Sequence, residues 1–213
     1  MKTDDLVSLL SNSGGAADPM MVSSRYWQAM VISTGGALIL LLIGYGLRPD
    51  LSVMLGTPLF WARLAFPAVI AVGALMVVAR LARPGVSVGR SWTVMALPVI
   101  VVIVAAVLTL GLAPASERLS MVLGATWRSC PFNIAFLSIP GFIANFWLLR
   151  NMAPTRLRVA GAAAGLLAGS AATIVYCLHC PEMEVAFWAV WYIAGMLIPA
   201  VIGAVLAPRL LRW

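Results

Sequence analysis

Charge is what this sequence has least of. Asp, Glu, Lys and Arg together make up only 10% of 213 residues, where a soluble domain carries about 25%. The composition is 62% hydrophobic and the mean hydropathy is +1.01. A chain of this kind is a membrane protein, and the lack of any long polar stretch excludes a sizeable soluble domain. Titratable chemistry is equally thin, with one histidine, His179, and seven acids. There is no Ser/His/Asp set, no phosphate-binding glycine loop and no paired carboxylates, which weighs against hydrolytic and phosphoryl-transfer enzymes. No acid or base lies near the centre of an apolar run, where the polar residues are Ser138, Asn145, Ser170 and Thr173. Ionisable groups at such depth mark proton and ion paths, so a pump is disfavoured. The opening MKTDDLVSLLSNSGG lacks a basic region ahead of its apolar residues, so it does not read as a signal peptide. No internal repeat supports a transporter of inverted halves.

What is present is a series of apolar runs. A hydrocarbon core of about 30 Å takes about 20 residues of helix. Six segments reach that length, at about 27–47, 60–81, 91–113, 131–149, 157–176 and 185–207. The expectation is an all-α membrane protein, a bundle of six transmembrane helices (26–213) behind a short N-terminal segment and linker (1–25). Pro98 and Pro140 mark candidate kinks. Gly161, Gly165 and Gly169 recur every four residues on one face, suited to a dimer seam or to close packing inside the bundle.

Basic residues orient the spans. With the N-terminus inside, Lys2, Arg25, Arg80, Arg83, Arg90, Arg150, Arg156, Arg158, Arg209 and Arg212 fall on the inner side, and Arg48, Arg63, Arg118 and Arg128 on the outer. That bias predicts both termini in the cytoplasm. It also explains the net charge of +7 without invoking nucleic acid. Tyr26, Trp27, Trp61, Trp92, Trp127, Trp188 and Trp213 suit interfacial belts.

Two polar features remain. Thr3 suits a helix cap with Asp4 and Asp5 in the first turn and Leu6, Leu9 and Leu10 as an apolar stripe. So short a helix is marginal alone in water, and it suits a peptide that folds into a partner's groove, a frayed end or an interfacial helix. The other feature is SAATIVYCLHCPEME at 170–184, which holds Cys177, His179 and Cys180, while Cys130 sits in WRSCPF. Three readings compete for these thiols: an outer redox or metal-responsive pair of Cys130 and Cys180; a metal site of Cys130, Cys177, His179 and Cys180; or ordinary buried cysteines, the reading favoured for Cys177. The polar neighbours of Cys130 and Cys180 place those two at an interface. His179, beside a thiol, is solvated, or lowers the thiol pKa, or binds metal.

The order of short motifs MKTDDLVSLL, GLRPDL, PLFWARL, WRSC, AGLLAG, YCLHCPE and APRLLRW resembles the NrsF-type anti-sigma factors over essentially the whole chain. The resemblance implies an inner-membrane, non-enzymatic protein of six spans that needs no cofactor. It implies that Lys2, Thr3, Asp4, Asp5 and Leu6 engage an extracytoplasmic-function (ECF) sigma factor, with Leu9 and Leu10 completing the segment. It also implies that Cys130 and Cys180 are the signal-sensing thiols. A thiol oxidoreductase is a rival class, but its two-pair disulfide relay exceeds three cysteines. A metal transporter is the other rival.

Overall fold

The computed structural model describes residues 19–81, 89, 91–152 and 154–212, with side chains from residue 24 onward. The segment with Lys2, Thr3, Asp4, Asp5, Leu6, Leu9 and Leu10 lies outside the described residues. Among those described, the fold is all-helical and has no strand.

Helix α1, Pro19–Gly44, opens on a proline, whose missing N–H is no loss in a first turn. It closes where Gly46, at φ 75°, donates its N–H to the Leu41 carbonyl, a left-handed cap that glycine adopts without a Cβ penalty. A single turn, α2 (Leu51–Met54), leads to α3, Pro58–Leu81. Then come α4, Ser91–Leu112, and a short α5, Ala115–Leu123, ended by Gly124 at φ 55°. Next are α6, Cys130–Leu137, and α7, Ile139–Arg150. Helix α8 is Leu157–Tyr176, and α9 is Val185–Leu210, with a π-helical turn at Trp188–Tyr192.

Five of these, α1, α3, α4, α8 and α9, are long and apolar enough to cross a membrane, and α6 with α7 makes a sixth if the bent pair is one span. The fifth expected span coincides with α8, and the others differ by a few residues except the first and fourth. The first begins eight residues early, at Pro19 rather than 27. The fourth is bent by 45° between α6 and α7. Pro140 explains the break, since it lacks the N–H that would reach back one turn and its ring crowds that turn. Helix α1 packs closely on this corner: a methyl group on Gly36 would meet Pro140, and one on Gly141 would meet Ser33. Pro98, by contrast, sits within an uninterrupted α4.

Helix α8 is the axis of the bundle. It packs along α9 and also touches α3, α7 and α1. The glycine face decides the closest contact. A Cβ on Gly161 would strike the Gly203 carbonyl, one on Gly165 the Pro199 carbonyl, and one on Gly169 the Met196 backbone. The glycines thus let two backbones of one chain approach. Their face is used within the bundle and is closed to a second copy. Helix α4 is peripheral and turns Leu97, Ile100, Val101, Val104 and Leu108 outward.

Buried side chains gather at the two ends of α8. Leu81, Phe146, Leu149, Ala160, Ala207 and Leu211 pack at its N-terminal end. Leu41, Phe66, Ile134, Phe187, Tyr192 and all three cysteines pack toward its C-terminal end.

Candidate functional site: a buried thiol cluster gripped by arginine

The cluster is built where α8 stops. Leu178, His179 and Cys180 fold back in a last turn, with N–H groups donated to the Val175 and Tyr176 carbonyls. Pro181 cannot continue the helix. On the facing element, Cys130 opens α6 and Pro131 occupies its first turn. Each Cys-Pro pair thus marks the end of an apolar helix.

Cys130, Cys177 and Cys180 are free thiols, each 0% exposed. Cys130 and Cys180 lie in the same buried cluster, near enough for each to act on the other's ionisation. The expected pair is therefore brought together, but beneath the surface rather than at a polar interface. Their chain neighbours Ser129 and Pro181 are both exposed. The Cys177 thiol lies 3.9 Å from the Arg63 carbonyl.

The metal reading needs correction. Among the described residues, no group of three or more His, Cys, Asp or Glu side chains is placed to hold a metal ion. The three cysteines, Cys130, Cys177 and Cys180, do not form such a group even by themselves, and His179 is held by other partners. Its Nδ1 lies 3.0 Å from the Gly46 carbonyl oxygen, and its ring leans on Tyr45 and Tyr176. It is half-buried and serves to tie the end of α1 to the end of α8.

Two arginines hold the loop 177–183, and sequence reasoning had placed both simply on the outer side. Arg63, on α3, is completely buried. Its guanidinium donates to the carbonyls of Glu182 (2.8 Å), Cys180 (2.9 Å) and Cys177 (3.3 Å). It also lies 5.5 Å from the centre of the Tyr192 ring, which the π-turn presents to it. Arg48 donates to the Cys180 carbonyl at 3.2 Å, and its backbone N–H donates to Leu178. Unlike Arg63, it has a carboxylate, Asp50 at 2.7 Å, which it holds below the usual carboxylate range.

Glu182 is the third strap. Its carboxylate accepts the N–H groups of Ala125 (2.7 Å) and Thr126 (3.1 Å). It thus fixes the loop before Cys130 to the loop after Cys180. The signal for Arg63 was legible in PLFWARLAF, a lone cation among apolar residues near a span end. Nothing in one sequence marks Glu182 as the partner of Ala125 and Thr126.

The environments separate the thiols. Cys180 is lowered to about 6, first by the neighbouring Cys130 thiol and then by the Arg63 charge, against the opposing effect of burial. Burial pushes the Cys177 thiol up, and Arg63 only partly offsets it. A low thiol pKa beside a cation is the usual mark of a reactive cysteine, and a buried apolar setting that of an inert one.

The chain matches the family model described as negative regulator of sigma F over residues 10–213. It is 43% identical to the "Probable anti-sigma-F factor NrsF" of Azospira oryzae and 36% identical to the "Anti-sigma-F factor NrsF" of Caulobacter vibrioides, each across the full length of both chains. No solved structure matches it. A bundle of apolar helices with an arginine-gripped thiol cluster at one end, matched from end to end by these relatives, belongs to the NrsF family of negative regulators of sigma F.

Proposed function

We propose that this protein is a membrane-bound anti-sigma factor that holds an ECF sigma factor through its N-terminal segment and releases it when Cys130 and Cys180 respond to a signal outside. The printed names of the relatives support the sigma-factor partner. The apolar helices support the bilayer, and the arginine bias supports an inner-membrane location with both termini in the cytoplasm. The observation that carries the sensing half is the meeting of Cys130 and Cys180. These thiols join the start of α6 to the end of α8, so a bond between them changes how two stiff spans pack. Coupling of about 1–3 kcal/mol between distant sites is typical and suffices for release.

The test is co-purification of the cognate sigma factor with the full-length protein in membranes. Cys130→Ser/Cys180→Ser should retain the sigma factor under oxidant or heavy-metal stress that frees it from the wild type. Asp4→Ala/Asp5→Ala should lose it without stress. Normal release from the double cysteine variant would overturn the sensing half. Unchanged retention by the acidic variant would overturn the assigned binding segment.

A further inference from the structure

We propose that the thiol pair is a hydroperoxide-driven dithiol–disulfide switch in which Cys180 is the attacking thiol, Cys130 the resolving thiol and Arg63 the positioning residue. This deepens the reading above and rests on it for the consequence of the switch, though not for its chemistry.

Arg63 carries the argument. A buried cation is expensive unless it is paired or fully hydrogen-bonded. Arg63 is 0% exposed, spends its donors on three main-chain carbonyls, and has no carboxylate within salt-bridge distance among the described residues. A positive charge is thus stored beside the thiols. Two buried donors there, Arg63 Nε and the Tyr192 hydroxyl, have no hydrogen-bond partner. Such an environment favours negative charge on sulfur or on a departing oxygen.

The asymmetry between the thiols follows from their places. The Cys180 carbonyl is held by both Arg63 and Arg48. Cys130 opens a helix on the opposite side of the cluster, in the same buried core as Cys180. The groups facing Cys180 are the thiols of Cys130 and Cys177, the phenols of Tyr176 and Tyr192, and Arg63. Only Arg63 among them is a cation. The lowered pKa of Cys180 agrees with this placement.

Access selects the reagent. The thiols are fully buried, and a small neutral hydroperoxide reaches a buried site more readily than a hydrated metal ion. The Cys180 sulfur attacks one peroxide oxygen: an S–O bond forms and the O–O bond breaks. The leaving alkoxide takes the Cys180 proton and departs as an alcohol, or as water if the oxidant is hydrogen peroxide. The Cys130 sulfur then attacks the Cys180 sulfur. The S–S bond forms, the S–O bond breaks, and hydroxide leaves as water with the Cys130 proton. Two electrons pass from the two thiols to the peroxide, and Cys177 takes no part.

The experiment uses the full-length protein in nanodiscs, hydrogen peroxide, and dimedone to trap sulfenic acid, read by peptide mass. The wild type should form a Cys130–Cys180 disulfide. Cys130→Ser should accumulate dimedone on Cys180, and Cys180→Ser should leave Cys130 unlabelled at the same dose. Arg63→Gln should slow Cys180 oxidation by roughly tenfold and move the midpoint of its pH–rate profile upward, since a cation was favouring the thiolate. Arg63→Lys should recover most of the rate. Labelling of Cys130 in Cys180→Ser as fast as Cys180 in Cys130→Ser would overturn the assignment of roles. An unmoved pH midpoint in Arg63→Gln would overturn the role of Arg63, and if that variant fails to fold, the two cysteine variants still decide the order of attack. Sigma-factor release is scored separately. Correct disulfide chemistry without release sinks the anti-sigma mechanism alone, and release with the order of attack inverted sinks this inference alone.

Discussion

The two ends of the bundle use the same residue in opposite ways. At the N-terminal end of α8, Arg150, Arg156, Arg158, Arg209 and Arg212 are exposed. At its C-terminal end Arg63 is fully buried and Arg48 nearly so, and both are spent on main-chain carbonyls of one loop. An exposed arginine contributes charge, and charge of this kind orients spans. A buried one contributes geometry, because its planar fork fixes several acceptors at once. The comparison teaches that arginines counted alike in a charge census do different work: some stay exposed as charge, and two are buried as scaffolding.

The sharpest way to break the comparison is to remove one arginine from each end. Arg63→Met should leave the carbonyls of Cys177, Cys180 and Glu182 without their donor, at about 1–3 kcal/mol for each buried acceptor left unmade. A loss of roughly 3 kcal/mol or more should appear in thermal unfolding of the purified protein in micelles. Arg156→Met should change stability by no more than about 0.5 kcal/mol, as exposed sites do. Equal losses from the two would show that the ends do not differ.

Overpacking tests whether the axis between the ends is rigid. Gly165→Ala drives a methyl into the Pro199 carbonyl and should cost about 1–3 kcal/mol. Gly35→Ala, with nothing within 4 Å of the added carbon, should be neutral or slightly stabilising as a helix former. The same unfolding assay ranks them.

A smaller effect sharpens the thiol end. Glu182→Gln keeps the shape of the strap but removes its charge. It should cost about 1 kcal/mol and slow formation of the Cys130–Cys180 disulfide, because the two loops are less firmly joined. Unchanged disulfide kinetics would show that Glu182 does not position the pair.

The smallest effect concerns acid. Arg48 holds the Asp50 carboxyl low in the folded state. A depressed carboxylate adds stability above its unfolded pKa and loses it as pH falls through the folded one. Melting temperature should therefore fall slightly more for the wild type than for Asp50→Asn as the pH is lowered below about 4. Parallel pH curves for the two would refute the linkage.

The helices themselves were legible because length and hydropathy are local. Span 157–176 could be read to the residue, and Pro140 announced the break in the fourth. The short α5 and the early start of α1 at Pro19 were not foreseen, since neither needs a long apolar run. At the site, Cys130 and Cys180 were named from their motifs, but their full burial was not foreseen, because polar neighbours in sequence do not reveal what another helix covers. His179 was miscast as a possible ligand for the same reason: its partner, Gly46, is 133 residues away.

Sequence alone therefore determined that this chain is built of apolar helices, where most of them lie, and which thiols to follow. Composition and period act residue by residue, and no partner is needed to express them. Only the tertiary structure decided that glycines 161, 165 and 169 face α9, that Glu182 ties two loops together, and that Arg63 spends its charge beneath the surface next to Cys180. Those outcomes depend on which distant backbone groups arrive within hydrogen-bond reach, and that is a property of packing.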